Sequence, residues 1–539
     1  MKTLSVRAVL ALGLAASLAL AGFAATADAA PKRGGILKFV VPDEPPSFDG
    51  HKETTFALIH PLAPFYSVLI RVNPDNPSSP TEFRCDLCLE IPKATDGGKK
   101  YTFKIRPGVK FWDGEPLTAK DVEASFQKII FPEKGVESAR KGQFGMVKKV
   151  HAPDAGTVVF ELEYPSGAFL PALANPYNFI YSAKALAKDM RWYEKNILGS
   201  GPFKFTERQP GSSLSGVRNP DYHHKGQPYL DGFHAIFAPK QDVRVKAIRS
   251  GQASIEFRGL PPKTRDELKN ALGDKLVVQE SDWNCSLLFT PNHRKKPFDD
   301  VRVRKALTLA VDRWGGSKYL SQIAIVKTVG GVAFPGHPLA AKKEELEKLA
   351  GYWPDINKSR AEAKRLLKEA GVPEGFEFTL SNRDIDQPYK TVGTWLIDQW
   401  RQVGLKVTQK VSPTGPFYAD LRGSPPKFDV SVDFNCQAVV DPLADVFKFV
   451  SRDRSGSNYA GYIDRKLDEL FDKMNRTDDV EEQRTHMRAF EKRVLDEEAA
   501  YFITLWWYRI IPHLSHVKGW KISPSHYLNQ DLSGVWLED

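Results

Sequence analysis

The residues best equipped for chemistry are four cysteines and one histidine pair. Cys85-Asp86-Leu87-Cys88 has the CxxC spacing of thiol–disulfide redox sites. A redox site of that kind sits between a strand and a helix, but here Pro92 and Gly97-Gly98 follow. The pair therefore reads as a local structural bridge or as two thiols. Zinc would need further ligands nearby, and no second Cys/His pair has the spacing for a tetrahedral site. Cys285 and Cys436 are far apart in the chain, in or beside strand-like stretches. A bridge between them would restrict the unfolded chain by ~4–5 kcal/mol in the loop-entropy model. His223-His224 are adjacent on a loop, where two histidines seldom share one metal. The motifs of common enzymes are missing: there is no GxSxG elbow, no HExxH helix and no Gly-rich phosphate loop. The reading is a protein that is not an enzyme and needs no cofactor or metal.

The elements that must position these residues alternate along the chain. Gly34 to Val41 patterns as an apolar strand, and Ala57 to Val72 as an apolar helix. In Tyr101 to Arg106 apolar and polar residues alternate, Pro107-Gly108 and Asp113-Gly114 turn the chain, and Thr118 with Asp121 forms a capping box for a helix. Strands are expected at 233–238, 253–258, 276–289, 376–381, 406–411, 428–434 and 500–507. Helices are expected at 242–250, from Asp299 or Asp300 to Asp312, and at 359–370, 391–403, 464–475 and 480–498. This mixture over more than 500 residues implies an α/β or mixed α+β chain with more than one core.

The N-terminus has the features of an export signal: Lys2 and Arg7, then the apolar run Val9 to Leu20, then Ala27-Asp28-Ala29. Phe23 stands where a lipid-carrying cysteine would be needed, so release without a lipid anchor is expected, into the periplasm of a two-membrane cell. The net charge of +10 is scattered through alternating runs such as Lys342 to Lys348. No basic stripe interleaved with aromatics suggests nucleic acid.

Six strings, in order, resemble the family 5 extracellular solute-binding proteins, which deliver peptides, nickel chelates, opines and sugars to ABC importers. They are YTFKIRPGVKFWDG (101–114), GSGPFKF (199–205), NPDYHHKGQPYLDG (219–232), KKPFDDVRVRKAL (295–307), EAGVPEGFEFTL (369–380) and SNYAGY (457–462). The resemblance implies a two-lobed binding protein with two hinge strands and an extra subdomain in lobe one. Residues 1–29 would be the signal peptide, and lobe I would be 30–283, with the insert at about 64–190. Lobe II would be 284–507, and 508–539 would return to lobe I. The implied partners are a small-molecule ligand and an inner-membrane permease, with the protein itself a monomer.

The resemblance also tests the ligand. Peptide binders of the family place an Asp three residues before an Asp/Glu-Pro step, to grip the peptide amine, and a Trp three positions earlier. Here the step is Asp441-Pro442, and Ala438 and Asn435 occupy those places. A buried ammonium without a partner costs several kcal/mol, which disfavours an ordinary peptide. A carboxylate-gripping arginine of dipeptide-type members matches Arg383, which could hold a carboxylate in a bidentate fork. The bland alternative is a surface arginine paired with Asp384 or Asp386. The resemblance further implies a Cys285–Cys436 bridge beside the site, and contact from the loop Thr54, Thr55 and Phe56. Asp433 and Gln437, beside the same strand as Asn435, could add hydrogen bonds. Trp283, Trp395 and Trp506 could stack on a ring-bearing ligand; a lone Trp is otherwise core.

Overall fold

The structure is a computed structural model that describes residues 30–79, 81–477 and 479–538. The export signal expected at 1–29 lies outside the described residues. Among the described residues no helix is long and apolar enough to cross a membrane.

Two sheets anchor the first lobe. In one, Ile36–Val41 pairs in parallel with Gly232–Phe237, and Ser213–Arg218 and Phe203–Gln209 continue it antiparallel. The other is a small antiparallel sheet of Lys100–Lys104, Thr157–Leu162 and Val147–Asp154. Its alternation is the physical basis of the first family string, since Phe103 and Ile105 are buried while Lys104 is exposed. The helix Ala119–Ile130 packs on this sheet and opens with the expected capping box: Thr118 Oγ1 accepts from Lys120 N–H, and Asp121 accepts from Thr118 N–H at 2.7 Å.

The second lobe is built on a six-stranded mixed sheet. Its order is Val326–Thr328, Phe502–Leu514, Leu276–Pro291, Val430–Cys436, Glu377–Arg383, Lys406–Ser412. Two of these strands are long enough to serve both lobes. Leu276–Pro291 pairs with Phe502–Leu514 from Leu276↔Leu514 to Asp282↔Tyr508, and the register then shifts before Ser286↔Trp506. On one side of the shift His513 bridges Ile255, which in turn bridges Phe39 of the first lobe. On the other side Cys285–Pro291 pairs with Val430–Cys436 of the second. The register break therefore lies where the two strands cross between lobes.

Three expectations change. The helix expected over 57–72 stops early: Phe56–Leu62 is helical, Ala63–Phe65 is a single tight turn, and Ile70–Val72 is a strand paired with Phe83–Cys85. Pro61 and Pro64 each lack an N–H for the helix ladder, which ends it. The stretch 253–258 is not a continuous strand, because only Ile255 bridges its neighbours. Chain beyond it is thereby released from the sheet, and Arg258 turns inward, fully buried. The helix expected over 480–498 is regular from Val480 to Lys492 and ends in a wider turn over Arg493–Glu497.

Candidate functional site

The site begins at the crossing. Cys285 and Cys436 face each other across the antiparallel pair and are bridged, with Cα atoms 4.0 Å apart. Cys85 and Cys88 are bridged too, so neither pair offers a thiol. Just past Cys436 the chain lines a cavity of about 70 Å³ between the lobes. Thr54, Arg140, Tyr177 and Tyr527 come from one side, and Tyr418, Asp433, Asn435, Gln437 and Lys448 from the other. Pockets for small solutes usually measure about 300–1,000 Å³. Admitting a solute to this one therefore requires the lobes to part about the two crossing strands.

The polarity of the lining is specific. Its charged residues are two cations, Arg140 and Lys448, and one carboxylate, Asp433. Lys448 Nζ donates to Asp433 at 2.6 Å, and both are buried. Asp433 is thus already neutralised. Arg140 donates to the carbonyls of Gly50 and Glu53 and lies over the Tyr177 ring at 4.8 Å. Burial pulls its guanidinium down to about 10. Asn435 and Gln437 are joined, Gln437 Nε2 donating to Asn435 Oδ1 at 2.9 Å, and Asn435 Nδ2 donates to the Asp445 carbonyl. Ala438 lines the cavity with a methyl group.

Arg383 ends the strand Glu377–Arg383 and is fully buried. It is not a surface arginine, since Asp384 and Asp386 pair with Lys390 instead. Its Nε and Nη2 donate to Thr414 Oγ1 at 3.1 and 2.8 Å, and Nη2 reaches Thr55 Oγ1 at 3.4 Å. The closest carboxylate, Asp43, is 3.9 Å away and accepts from the Thr414 hydroxyl. Nη1 has no hydrogen-bond partner among the described residues. The guanidinium is packed on Phe56, Tyr389 and Tyr418 at 5.1–5.6 Å. Tyr418 also lines the cavity, so Arg383 stands one ring behind its wall.

The other expected residues separate into two groups. Thr54, Asp433, Asn435 and Gln437 line the cavity; Thr55 caps the helix Phe56–Leu62 and touches Arg383, and Phe56 lies under it. Trp283 is buried at the crossing, donating to His526 Nδ1 at 2.8 Å and meeting Trp507 edge-on at 4.9 Å. Two tryptophans are placed elsewhere. Trp395 packs over the Gly316 backbone, and Trp506 donates to the Gly331 carbonyl and meets Phe334. Strand alternation explains the second case, because adjacent side chains point to opposite faces and it is Trp507 that turns toward Tyr389 and Phe434. Residues that sequence reasoning missed are Arg140, Tyr177, Tyr389, Tyr418, Lys448, Tyr527 and Arg258. They come from loops and short helices without periodicity, so no local signal marked them.

His223 and His224 also converge: both Nε2 atoms lie 2.9 Å from Asp86 Oδ1. Arg71 already occupies that carboxylate at 2.7 Å and also pairs with Asp531. Burial pushes the Asp86 carboxyl up, but Arg71 and the histidines outweigh it and hold it well below the usual range. The cluster is an ion network in which each charge faces a partner inside the protein.

With this geometry in view, the comparisons are consistent. Residues 82–456 match the model of the bacterial extracellular solute-binding proteins, family 5. The chain belongs to this family. It is 26% identical to the oligopeptide-binding protein AppA of Bacillus subtilis (strain 168) over 532 residues, covering 94% of this chain and 92% of that one. It is 28% identical to the glutathione-binding protein GsiB of Pectobacterium atrosepticum over 331 residues, 60% of each chain. Among solved structures, it resembles DppA from Helicobacter pylori in complex with the peptide STSA, with TM-score 0.80 and 23% identity over 94% of this chain and 99% of that one. The PBP AgaA from A.tumefacien R10 in complex with agropinic acid gives TM-score 0.82 at 23% identity, with the same 94% and 99% coverage. These likenesses establish the two-lobed periplasmic binding protein fold, and the family is one of solute-binding proteins for ABC transporters, not of enzymes.

Proposed function

We propose that this protein captures a small carboxylate-bearing solute between its lobes and delivers it to the permease of an ABC importer. Lobe I would comprise 30–283 and 508–539, with the inserted subdomain at about 64–190, and lobe II 284–507. Export with loss of residues 1–29, without a lipid anchor, would leave a monomer in the periplasm.

One observation carries the ligand class. Arg383 is a fully buried guanidinium whose nearest carboxylate is 3.9 Å away and occupied by a hydroxyl, with one nitrogen unpartnered. A buried cation left in that state favours an incoming anion, since charge-assisted forks to carboxylates are among the strongest hydrogen bonds available. The amine end of an ordinary peptide finds no counterpart: Asp433 is engaged by Lys448, and position 438 is alanine. A modified peptide, an opine or an aromatic acid fits these constraints. Agropinic acid, held by one structural neighbour, lies within the same class.

The second reading is an ordinary di- or oligopeptide binder, favoured by the peptides held in DppA and AppA. Amine acetylation of the solute recovered from the purified protein separates the two, since an ordinary peptide carries a free α-amine, and calorimetry tests the role of Arg383. On the carboxylate reading, Arg383→Ala abolishes binding; unchanged affinity would refute it. Deletion of the gene should abolish uptake of that solute, whereas intact uptake with lost induction or chemotaxis would point to a sensory receptor.

A further inference from the structure

Arg258 packs on the same rings as Arg383, and it is the less satisfied of the two. It is fully buried, and Nε, Nη1 and Nη2 all lack a hydrogen-bond partner among the described residues. Its guanidinium is boxed by Phe56 at 4.6 Å, Trp507 at 5.2 Å, Tyr389 at 5.8 Å and Trp283 at 6.0 Å. Ring faces satisfy part of a cation's charge, but they accept none of its in-plane N–H groups. The neighbouring acid does not fill the gap, because Glu256 accepts from the backbone amides of Arg258 and Gly259. Arg509, nearby, is satisfied by the carbonyls of Phe257, Arg258 and Ser523. Burial pulls the Arg258 guanidinium down to about 10.

Arg258 and Arg383 share two rings, Phe56 and Tyr389, and the Tyr389 hydroxyl lies within reach of both guanidiniums without an aligned hydrogen bond to either. Phe434, which lines the cavity, contacts both Tyr389 and Trp507, so the pair lies one ring layer from the cleft. The arrangement also spans the lobes. Phe56 and Arg258 belong to chain preceding the first crossing strand, whereas Tyr389 and Arg383 follow it.

We infer that Arg258 is a second anion-binding residue of the same site, and that the solute presents two acidic groups, one to each guanidinium. This rests on the carboxylate reading above and narrows it to a diacid. Counting donors supports two groups. A guanidinium carries five N–H donors, while one carboxylate offers about four lone pairs. The five N–H groups of Arg258 and the unpartnered Nη1 of Arg383 together exceed what a single carboxylate accepts. A diacid touching both arginines would also tie the lobes together when they close.

The test uses the ligand-stripped mature protein and a series of linear diacids, malonate through suberate, each beside its monomethyl ester at equal ionic strength. Affinities come from calorimetry. At one chain length or more, the diacid should bind at least about tenfold more tightly than its ester, as expected of an added charge-assisted fork. Arg258→Gln should collapse that ratio to near one, Arg258→Lys should keep part of it, and Arg383→Gln should weaken both diacid and ester. Equal affinities at every length, or a ratio that survives Arg258→Gln, overturns the second group and leaves the Arg383 reading standing. No response to any acid, or a response indifferent to Arg383→Gln, overturns that reading and this one together. The ligand-free melting midpoint of Arg258→Gln should fall only slightly, because the arginine loses ring contacts but no aligned hydrogen bond. A large fall, or failure to fold, would mark Arg258 as structural and overturn the proposal.

Discussion

The buried charge clusters around Asp86 and around Tyr389 are built to opposite rules. Around Asp86, every charge meets its complement: Arg71 and two histidines converge on one carboxylate, and Asp531 takes the other side of Arg71. Around Tyr389, two guanidiniums share aromatic faces and leave nitrogens unpartnered. The first cluster pairs its charges without a ligand and contributes to stability, although Arg71 Nε and His223 Nδ1 stay unpartnered. The second is incomplete, and its deficit is a deficit of anion. The two clusters differ in charge pairing more than in burial: the first sets carboxylates against its cation, the second sets two cations against rings.

The sharpest way to break this contrast is Asp86→Ala. Removing one partner from a buried ion network costs about 3–5 kcal/mol, because the remaining charges are stranded. The urea midpoint should fall accordingly while solute affinity stays unchanged; an affinity loss would erase the distinction between the clusters. Arg383→Ala should do the reverse. Affinity should drop by at least ~2 kcal/mol, the scale of truncating one side of a buried charged contact. The unfolding free energy of the ligand-free protein should fall less than in Asp86→Ala, because the change loses the Thr414 hydrogen bonds and ring contacts but strands no buried partner charge.

The Cys85–Cys88 bridge brackets Asp86 and belongs to the stability side. Replacing both cysteines with serine should cost about 2 kcal/mol for so short a loop, read by urea titration, without altering solute affinity.

The smallest effect is a pH signature on the unsatisfied side. His60 is pulled down from 6.5 to about 3, chiefly by burial and then by the unneutralised charge of Arg509 and Arg258. Its folded value lies below its unfolded one, so the folded state resists protonation. The stability it contributes is complete above pH 6.5 and is lost as pH falls toward about 3. An NMR titration should show His60 neutral through most of that window. In Arg258→Met its pKa should rise, and no rise would mean that Arg258 adds little to the local potential.

Much of the frame was legible in the sequence, because the family strings encode local physics. The Thr118–Asp121 capping box and the alternation around Phe103 depend on residues a few positions apart. The same holds for four of the six strands of the larger sheet, which lie within a few residues of their expected bounds, whereas Val326–Thr328 falls outside the expected strands and Phe502–Leu514 runs well past its expected end. The cleft was legible only in part. Asn435, Gln437 and Arg383 came through resemblance, whereas Arg258 sits after the single bridge at Ile255, on extended chain with no period. Tyr389 follows an irregular turn, and Lys448 follows a six-residue helix. Trp506 and Trp507 could not be told apart before the register was known, since one residue of slip exchanges their faces.

The central claim is that an acid without a peptide amine completes the arginine cluster. Mass spectrometry of the solute released on denaturing the purified protein tests it most directly, before and after methyl esterification and amine acetylation. The account predicts a small molecule that gains a methyl at one or more carboxyls and has no free α-amine to acetylate. A neutral solute, or an ordinary peptide with a reactive N-terminus, would contradict it.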